Sequence, residues 1–203
     1  MKLYYAAASP FVRKVLIAAH ELGLAQRIEL VPTKVSPVDP NQALGRDNPL
    51  MKVPTLLTDD GTALYDSQVI CDYLDSLGAQ PKLLPAKGAA RWRTLTLHSL
   101  ADGVLEAAIL CRYEDTARPE AKRDPVWRAG QEMKIKQALD QLEQAPELAS
   151  QTVDLGTITL ACAFAYLEFR NIIGDIRSGR PRLSGWYKTF AERPSMKATV
   201  PQG

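Results

Sequence analysis

Apolar and polar positions along this chain change period in a definite order. Lys2-Leu3-Tyr4-Tyr5 is rich in residues that suit a buried strand. From Phe11 the apolar residues Val12, Val15, Leu16, Ala19 and Leu22 follow a helical period. Pro10 fits the first helical position, where its missing N–H costs nothing, Ser9 precedes it as the predicted N-cap, and Gly23 is placed to end the helix in the left-handed conformation. Arg27-Ile28-Glu29-Leu30-Val31 alternates polar and apolar residues and predicts a second strand. A proline-rich loop follows from Pro32 to Pro49, long for a compact domain and with room for a short helix around Asn41 to Leu44. Val53 to Thr58 and Thr62 to Tyr65 flank Asp59-Asp60-Gly61, a hairpin pattern. Asp66-Ser67 then caps a helix from Gln68 to Leu77 with Val69, Ile70, Tyr73 and Leu74 on one face. The order to this point is βαβ, loop, ββα.

Residues 79–88, with Pro81, Pro85 and Gly88, predict a linker, and everything beyond it carries helical spacing. Leu97, Leu100, Ala101, Val104, Leu105, Ala108 and Ile109 trace one stripe of a helix from about Ala89 to Glu114. Asp124-Pro125 opens a second helix to about Gln144, and a third runs from Asp154 to Asn171. The third is apolar nearly all round between Leu155 and Leu167, so it should be the buried centre of its domain. The expectation is an α/β domain over 1–78, a linker over 79–88 and an all-α domain over 89–203.

Composition narrows the function classes. A chain of 203 residues, 46% of them hydrophobic, can bury a substantial core. Its net charge of +2 comes from 25 basic and 23 acidic residues interspersed along the chain, which leaves no electrostatic footprint for nucleic acid. Cys71, Cys111 and Cys162 lie inside apolar helical patterns, far apart and with no C-x-x-C pair, so they read as core thiols. With only His20 and His98 beside them, a clustered metal site is not expected. Met1 leads directly into the first strand, and the apolar run from Leu155 to Leu167 is too short to span a bilayer. A cytoplasmic protein, without membrane or nucleic-acid partners, is expected.

The chemistry-bearing positions start with Ser9, whose hydroxyl sits at the positive end of a helix. Four segments in order, Ser9-Pro10-Phe11-Val12-Arg13, Asn48-Pro49-Leu50-Met51-Lys52-Val53-Pro54, Tyr65-Asp66-Ser67 and the capped helix beginning at Asp154, make the chain resemble the cytosolic glutathione S-transferases. The resemblance covers essentially the whole chain and is closest to the bacterial enzymes that use serine in place of tyrosine or cysteine. It implies a thioredoxin-like domain followed by an all-helical domain, glutathione as co-substrate and a homodimer. One departure concerns the buried helix. The family's usual Ser/Thr-x-x-Asp start is replaced by Asp154-Leu155-Gly156-Thr157, an order that can still form reciprocal caps.

The same resemblance assigns roles. Ser9 stands where thioredoxins carry the first cysteine of their redox motif, and Ser9-Pro10-Phe11-Val12 holds no sulfur, so disulfide exchange lacks its nucleophile. Ser9 would instead donate its O–H to the glutathione sulfur. Val53 and Pro54 would expose backbone for pairing with the cysteinyl part of glutathione, the proline being cis in the family. Asp66 and Ser67 would hold the γ-glutamyl amino and carboxylate groups, with Lys52 or Lys34 on the glycine carboxylate. Asp102 would reach the partner subunit's glutathione. Phe11, Leu105, Ile109 and Tyr113 would line the pocket for a small, mostly apolar electrophile. Arg13 serves either packing or the field around the sulfur. Each position also has a plain structural reading: Ser9 and Asp66-Ser67 as N-caps, the lysines and Asp102 as solvated surface, and the apolar stripe as core. Other glutathione chemistry, as in a dehalogenase, peroxidase or isomerase, and a non-catalytic regulatory role on the same scaffold, stay open.

Overall fold

The structure, a computed structural model, describes residues 1–78 and 82–202. It divides into two compact units, Met1–Ala86 with Pro194–Gly203, and Lys87–Arg193.

The first unit is built on a four-stranded sheet of order β2-β1-β3-β4, with β1 at Lys2–Tyr5, β2 at Glu29–Pro32, β3 at Thr55–Leu57 and β4 at Ala63–Leu64. β1 pairs parallel with β2 and antiparallel with β3, and β3 pairs antiparallel with β4, the thioredoxin-like arrangement. Helices α1 (Pro10–Glu21) and α2 (Ser67–Leu77) pack against each other and bury Val12, Val15, Ile17, Ile70 and Leu74. Each such side chain is worth about 1.5–3 kcal/mol of burial. α1 ends as its sequence requires: Gly23 takes φ of 69°, and the next amide, that of Leu24, donates to the Ala19 carbonyl at 2.8 Å.

Several boundaries differ from the sequence reading. β2 starts at Glu29 rather than Arg27, because Ala25–Arg27 forms a 3₁₀ turn; the helical turn of the long loop falls at Leu44–Arg46 rather than 41–44. Of the predicted linker, 79–81 lies outside the described residues, and the part that follows is not loose. Leu83 and Leu84 are buried, and their amides donate to the Asp75 carboxylate at 2.6 and 3.4 Å, which ties this segment to α2.

The predicted helical domain also ends earlier than 203. Helix α7 (Pro194–Ala198) returns to pack on α1 of the first unit. Its anchor is Arg13, buried to 7% exposure, which donates to the Met196 carbonyl at 3.2 Å and to the Thr199 hydroxyl at 3.5 Å. A cation at carbonyls near a helix C-terminus is favourably placed. Ser195 adds a hydrogen bond to Glu21 at 2.5 Å. Arg13 is therefore a packing residue.

The second unit contains α3 (Gly88–Thr116), α4 (Pro125–Glu143), α5 (Leu155–Arg170) and α6 (Pro181–Phe190). α5 is buried from Leu155 to Leu167, as its apolar pattern predicts. Its exchanged cap works reciprocally: Asp154 Oδ1 accepts from the Thr157 amide at 2.8 Å, and the Asp154 amide donates to Thr157 Oγ1 at 3.0 Å. The start of α6 lacks a side-chain cap of its own, and buried Glu143 of α4 supplies one, accepting from the Arg182 and Leu183 amides at 3.0 and 2.8 Å. α3 has the length and apolar composition of a membrane span, yet half of that window is buried within the protein, as in a core helix. Cys71, Cys111 and Cys162 are all buried free thiols, and burial pushes the Cys111 thiol up.

Candidate functional site

Sheet topology brings the sequence-predicted grips of the first unit to one edge. β1 runs up to the loop that carries Ser9; β3 runs the opposite way and begins just after Pro54; β4 again runs up, ending just before Tyr65 and Asp66. The register Tyr4↔Thr55 and Leu56↔Leu64 therefore sets Ser9, Val53-Pro54 and Asp66-Ser67 at the same end of adjacent strands.

Ser9 caps α1. Its Oγ accepts from the Val12 amide at 3.3 Å, and its backbone is extended, with φ of −80° and ψ of 122°. Among the described residues the hydroxyl donates to nothing, so its proton remains for an outside acceptor. The first turn of α1 carries no acidic side chain to offset its positive end. Phe11 is half-buried, its ring centroid 5.5 Å from Lys14 Nζ.

The Val53–Pro54 peptide bond is cis, and both residues are buried. Sequence reasoning missed what fixes this segment. Asn48, 1% exposed, donates to the Lys52 carbonyl at 3.2 Å and to Thr55 Oγ1 at 2.9 Å, while Thr55 Oγ1 donates to the same carbonyl at 2.8 Å. The Asn48 carboxamide oxygen also takes the Leu50 amide at 2.9 Å, closing an Asx turn, and Met51 follows with φ of 51°. A buried Asn needs its hydrogen bonds made, and every one of these goes to the strand-opening segment. An asparagine before proline was the available signal.

Asp66 is exposed, joined to Tyr65 through a cis bond, and caps α2 by accepting from the Gln68 amide at 3.0 Å. Ser67 is 2% exposed, and its hydroxyl makes no hydrogen bond among the described residues. The two lysines differ. Lys34 is 87% exposed and lies 3.8 Å from Asp39, whereas Lys52 is exposed with no carboxylate beside it among the described residues. Lys34 also follows β2, on the far side of β1 from β3. On β1 itself, Tyr4 donates to Asp47 Oδ2 at 2.7 Å; that bond, with burial and the carboxylate charge, pushes its phenol up.

The residues expected in the second unit fall on α3 with unequal exposure. Leu105 is 0% exposed and belongs to the core rather than to an open wall, because it faces the buried α5 seam. Ile109 is half-buried, Tyr113 is 36% exposed and Asp102 is half-buried. No group of three or more metal-ligating side chains occurs among the described residues.

Comparison with known proteins bears on both units. Residues 8–77 match the model of the glutathione S-transferase N-terminal domain, and residues 125–189 that of the C-terminal domain. The chain is 33% identical to an uncharacterized GST-like protein, YibF, of Escherichia coli K12, over 99% of this chain and 98% of that one. A glutathione transferase family member of Pseudomonas fluorescens Pf-5, solved with bound glutathione, superposes with a TM-score of 0.96 at 45% identity, covering 100% of this chain and 99% of that one. A structure from the same organism with bound S-(propanoic acid)-glutathione gives a TM-score of 0.92 at 43% identity, each chain covered to 100%.

Proposed function

Since the chain belongs to the glutathione S-transferase family, we propose that it is a serine-type glutathione transferase, activating the thiol of glutathione for attack on a small electrophile. The observation that carries this reading is the Ser9 hydroxyl, whose oxygen is held by the Val12 amide while its proton points to no partner among the described residues. Glutathione bound in the relatives from Pseudomonas fluorescens supports the choice of thiol.

The tripeptide needs a grip at each end and along its backbone. The Val53-Pro54 segment, locked by Asn48 and Thr55, offers main-chain groups to the cysteinyl residue by strand addition. The unengaged Ser67 hydroxyl at the start of α2 takes the γ-glutamyl carboxylate, and exposed Asp66 takes its ammonium. Lys52, rather than Lys34, holds the glycine carboxylate, because Lys52 directly precedes Val53-Pro54, whereas Lys34 follows β2 on the far side of β1 and has Asp39 at 3.8 Å. Asp102 serves the partner's glutathione in a homodimer, for which the exposed Leu50 and Val69 of the first unit offer apolar surface.

The energetics are modest enough for one hydroxyl and one helix. An ordinary thiol with a pKa near ~8.5 must drop by about two units, roughly 2.7 kcal/mol, to be mostly thiolate at neutral pH. A hydrogen bond to a charged group supplies roughly 1.5–3 kcal/mol and a helix N-terminus up to about 2. Ser9 thus stabilises the anion without removing its proton. The thiol proton is released to solvent, the sulfur lone pair forms the new C–S bond, and the electrophile's leaving group departs with its electron pair.

The test is the pH dependence of the bound thiolate's ultraviolet absorbance in wild type and Ser9→Ala. The variant should raise the apparent thiol pKa by one to two units, about 1.5–3 kcal/mol. An identical titration in both proteins removes Ser9 from this role.

A further inference from the structure

A cavity of about 190 Å³ lies in the first unit, between α1, the β1–β2 side of the sheet and the segment that follows α7. Every residue around it belongs to that unit. Since the sheet order is β2-β1-β3-β4, the cavity sits on the β2 side of β1, whereas Val53-Pro54 and Asp66-Ser67 lie on the β3 and β4 side. Its volume is below the roughly 300–1,000 Å³ of pockets that enclose drug-sized ligands, so it suits a small occupant.

Its polar side chains offer donors. Arg13, Tyr5 and Gln202 line it, and no acidic residue does. Arg13 is 7% exposed yet makes no ion pair among the described residues: Nε donates to the Thr199 hydroxyl at 3.5 Å and Nη2 to the Met196 carbonyl at 3.2 Å, both neutral acceptors. These bonds hold α7 without balancing the charge, and they leave most of the guanidinium's N–H donors unused. A buried cation without a counter-charge is costly. The Thr199 hydroxyl gives its own proton to the Ser195 carbonyl at 2.8 Å, while the Tyr5 hydroxyl makes no hydrogen bond among the described residues. The other walls are apolar. Val12 and Leu16 stand one turn apart on α1, and Leu30 and Val200, 42% and 61% exposed, form a rim open to solvent. A planar carboxylate suits the guanidinium fork and a short hydrocarbon tail suits these walls, which a compact inorganic ion would leave bare.

We propose that this cavity is a binding site for a small monocarboxylate, whose carboxylate pairs with Arg13 and accepts from the Tyr5 hydroxyl, and whose short alkyl tail lies against Val12, Leu16 and Leu30. The site is separate from the glutathione grips and does not rest on the transferase reading. One carboxylate neutralises one guanidinium. Because Arg13 also holds Met196 and Thr199, an occupied site fastens α7 to α1 more firmly, and the acid stabilises the first unit.

The probes are butanoate, its neutral counterpart butanamide and inorganic phosphate, each titrated into the full chain and followed through assigned backbone amide chemical shifts. Butanoate should bind at millimolar concentration, shift amides within 12–16, 30 and 198–202, and bind about tenfold more tightly than butanamide or better. Tyr5→Phe should weaken butanoate by about two- to tenfold and leave the ligand-free urea midpoint at the wild-type value, because that hydroxyl has no partner within the fold. Arg13→Met should remove the preference for the acid over the amide; since it also loosens α7, Tyr5→Phe is the variant that separates the site from the fold. No binding of butanoate, equal affinity for acid and amide, shifts confined to 52–54 and 66–67, or a Tyr5→Phe protein that binds as wild type would each overturn the proposal. Phosphate that binds at the same amides as tightly as butanoate overturns the carboxylate assignment.

Discussion

Gly156→Ala sets two opposing effects of similar size against each other at the seam of α3 and α5. Gly156 is the second residue of α5, and alanine there would gain up to about 1 kcal/mol in helix propensity. Its Cβ, however, would stand 2.8 Å from the Thr94 carbonyl oxygen and 3.0 Å from Leu97 Cβ. The closest of these is backbone of the neighbouring helix and cannot rotate away, so the helices must part by several tenths of an ångström. Overpacking of this kind costs about 1–3 kcal/mol. Parting the helices also stretches the Thr94–Asp154 bond at 3.2 Å and the His98–Thr159 bond at 2.9 Å, each worth about 0.5–1.5 kcal/mol. The clash wins, and the expected net loss is about 1–3 kcal/mol. Gly185→Ala is the matched control, since a Cβ there meets nothing within 4 Å and α6 gains propensity alone, up to about 1 kcal/mol. Urea melts followed by circular dichroism measure both, and in thermal melts each kcal/mol should move Tm by about 2–4 °C for a chain of this size. A Gly156→Ala protein as stable as wild type would refute the close approach of the two helices.

Arg13→Met removes the donors that hold α7 while keeping some apolar stem, and should cost about 1.5–3 kcal/mol in urea unfolding of the first unit, with faster proteolysis around 194–199; unchanged cleavage would count against the clamp. Tyr4→Phe should flatten the alkaline limb of stability. The Asp47 hydrogen bond raises the folded phenol pKa above its unfolded value of about 10, so its contribution is full below that pH and is lost as pH rises through the folded value. Urea melts at about pH 8 and about pH 11 should show a smaller decrease in the variant, and equal decreases would remove Tyr4 as the cause.

Long-range patterns proved readable where local signals agreed. The strand and helix order of the first unit, the apolar α5 and its exchanged cap follow directly from periodicity and capping residues, because Ser9, Asp66, Asp124 and Asp154 each sit where a helix needs an acceptor. What escaped the sequence depends on contacts between distant residues. Arg13 gives no sign of its partner at 196, since that bond spans 183 residues. Leu83 and Leu84 look like linker until the Asp75 carboxylate is seen to hold their amides. In the same way Leu105 shares a stripe with Ile109 and Tyr113, and only the packing of α5 decides which of the three is sealed inside. At the candidate site, position was legible in the motifs, but the difference between Lys34 and Lys52 rests on the sheet order and on Asp39.

The return of α7 to α1 gives the first unit a discontinuous composition in sequence, with the whole of Lys87–Arg193 lying between its two parts. A ribosome delivers these parts far apart in time. The surface of α1 around Arg13 is made early and must stay unmatched through the synthesis of five helices, α2 to α6, until Ser195, Met196 and Thr199 emerge to cover it. The unit that grips glutathione in the proposed function is thus begun before Lys87–Arg193 is made and can close only after all of that segment has been synthesised.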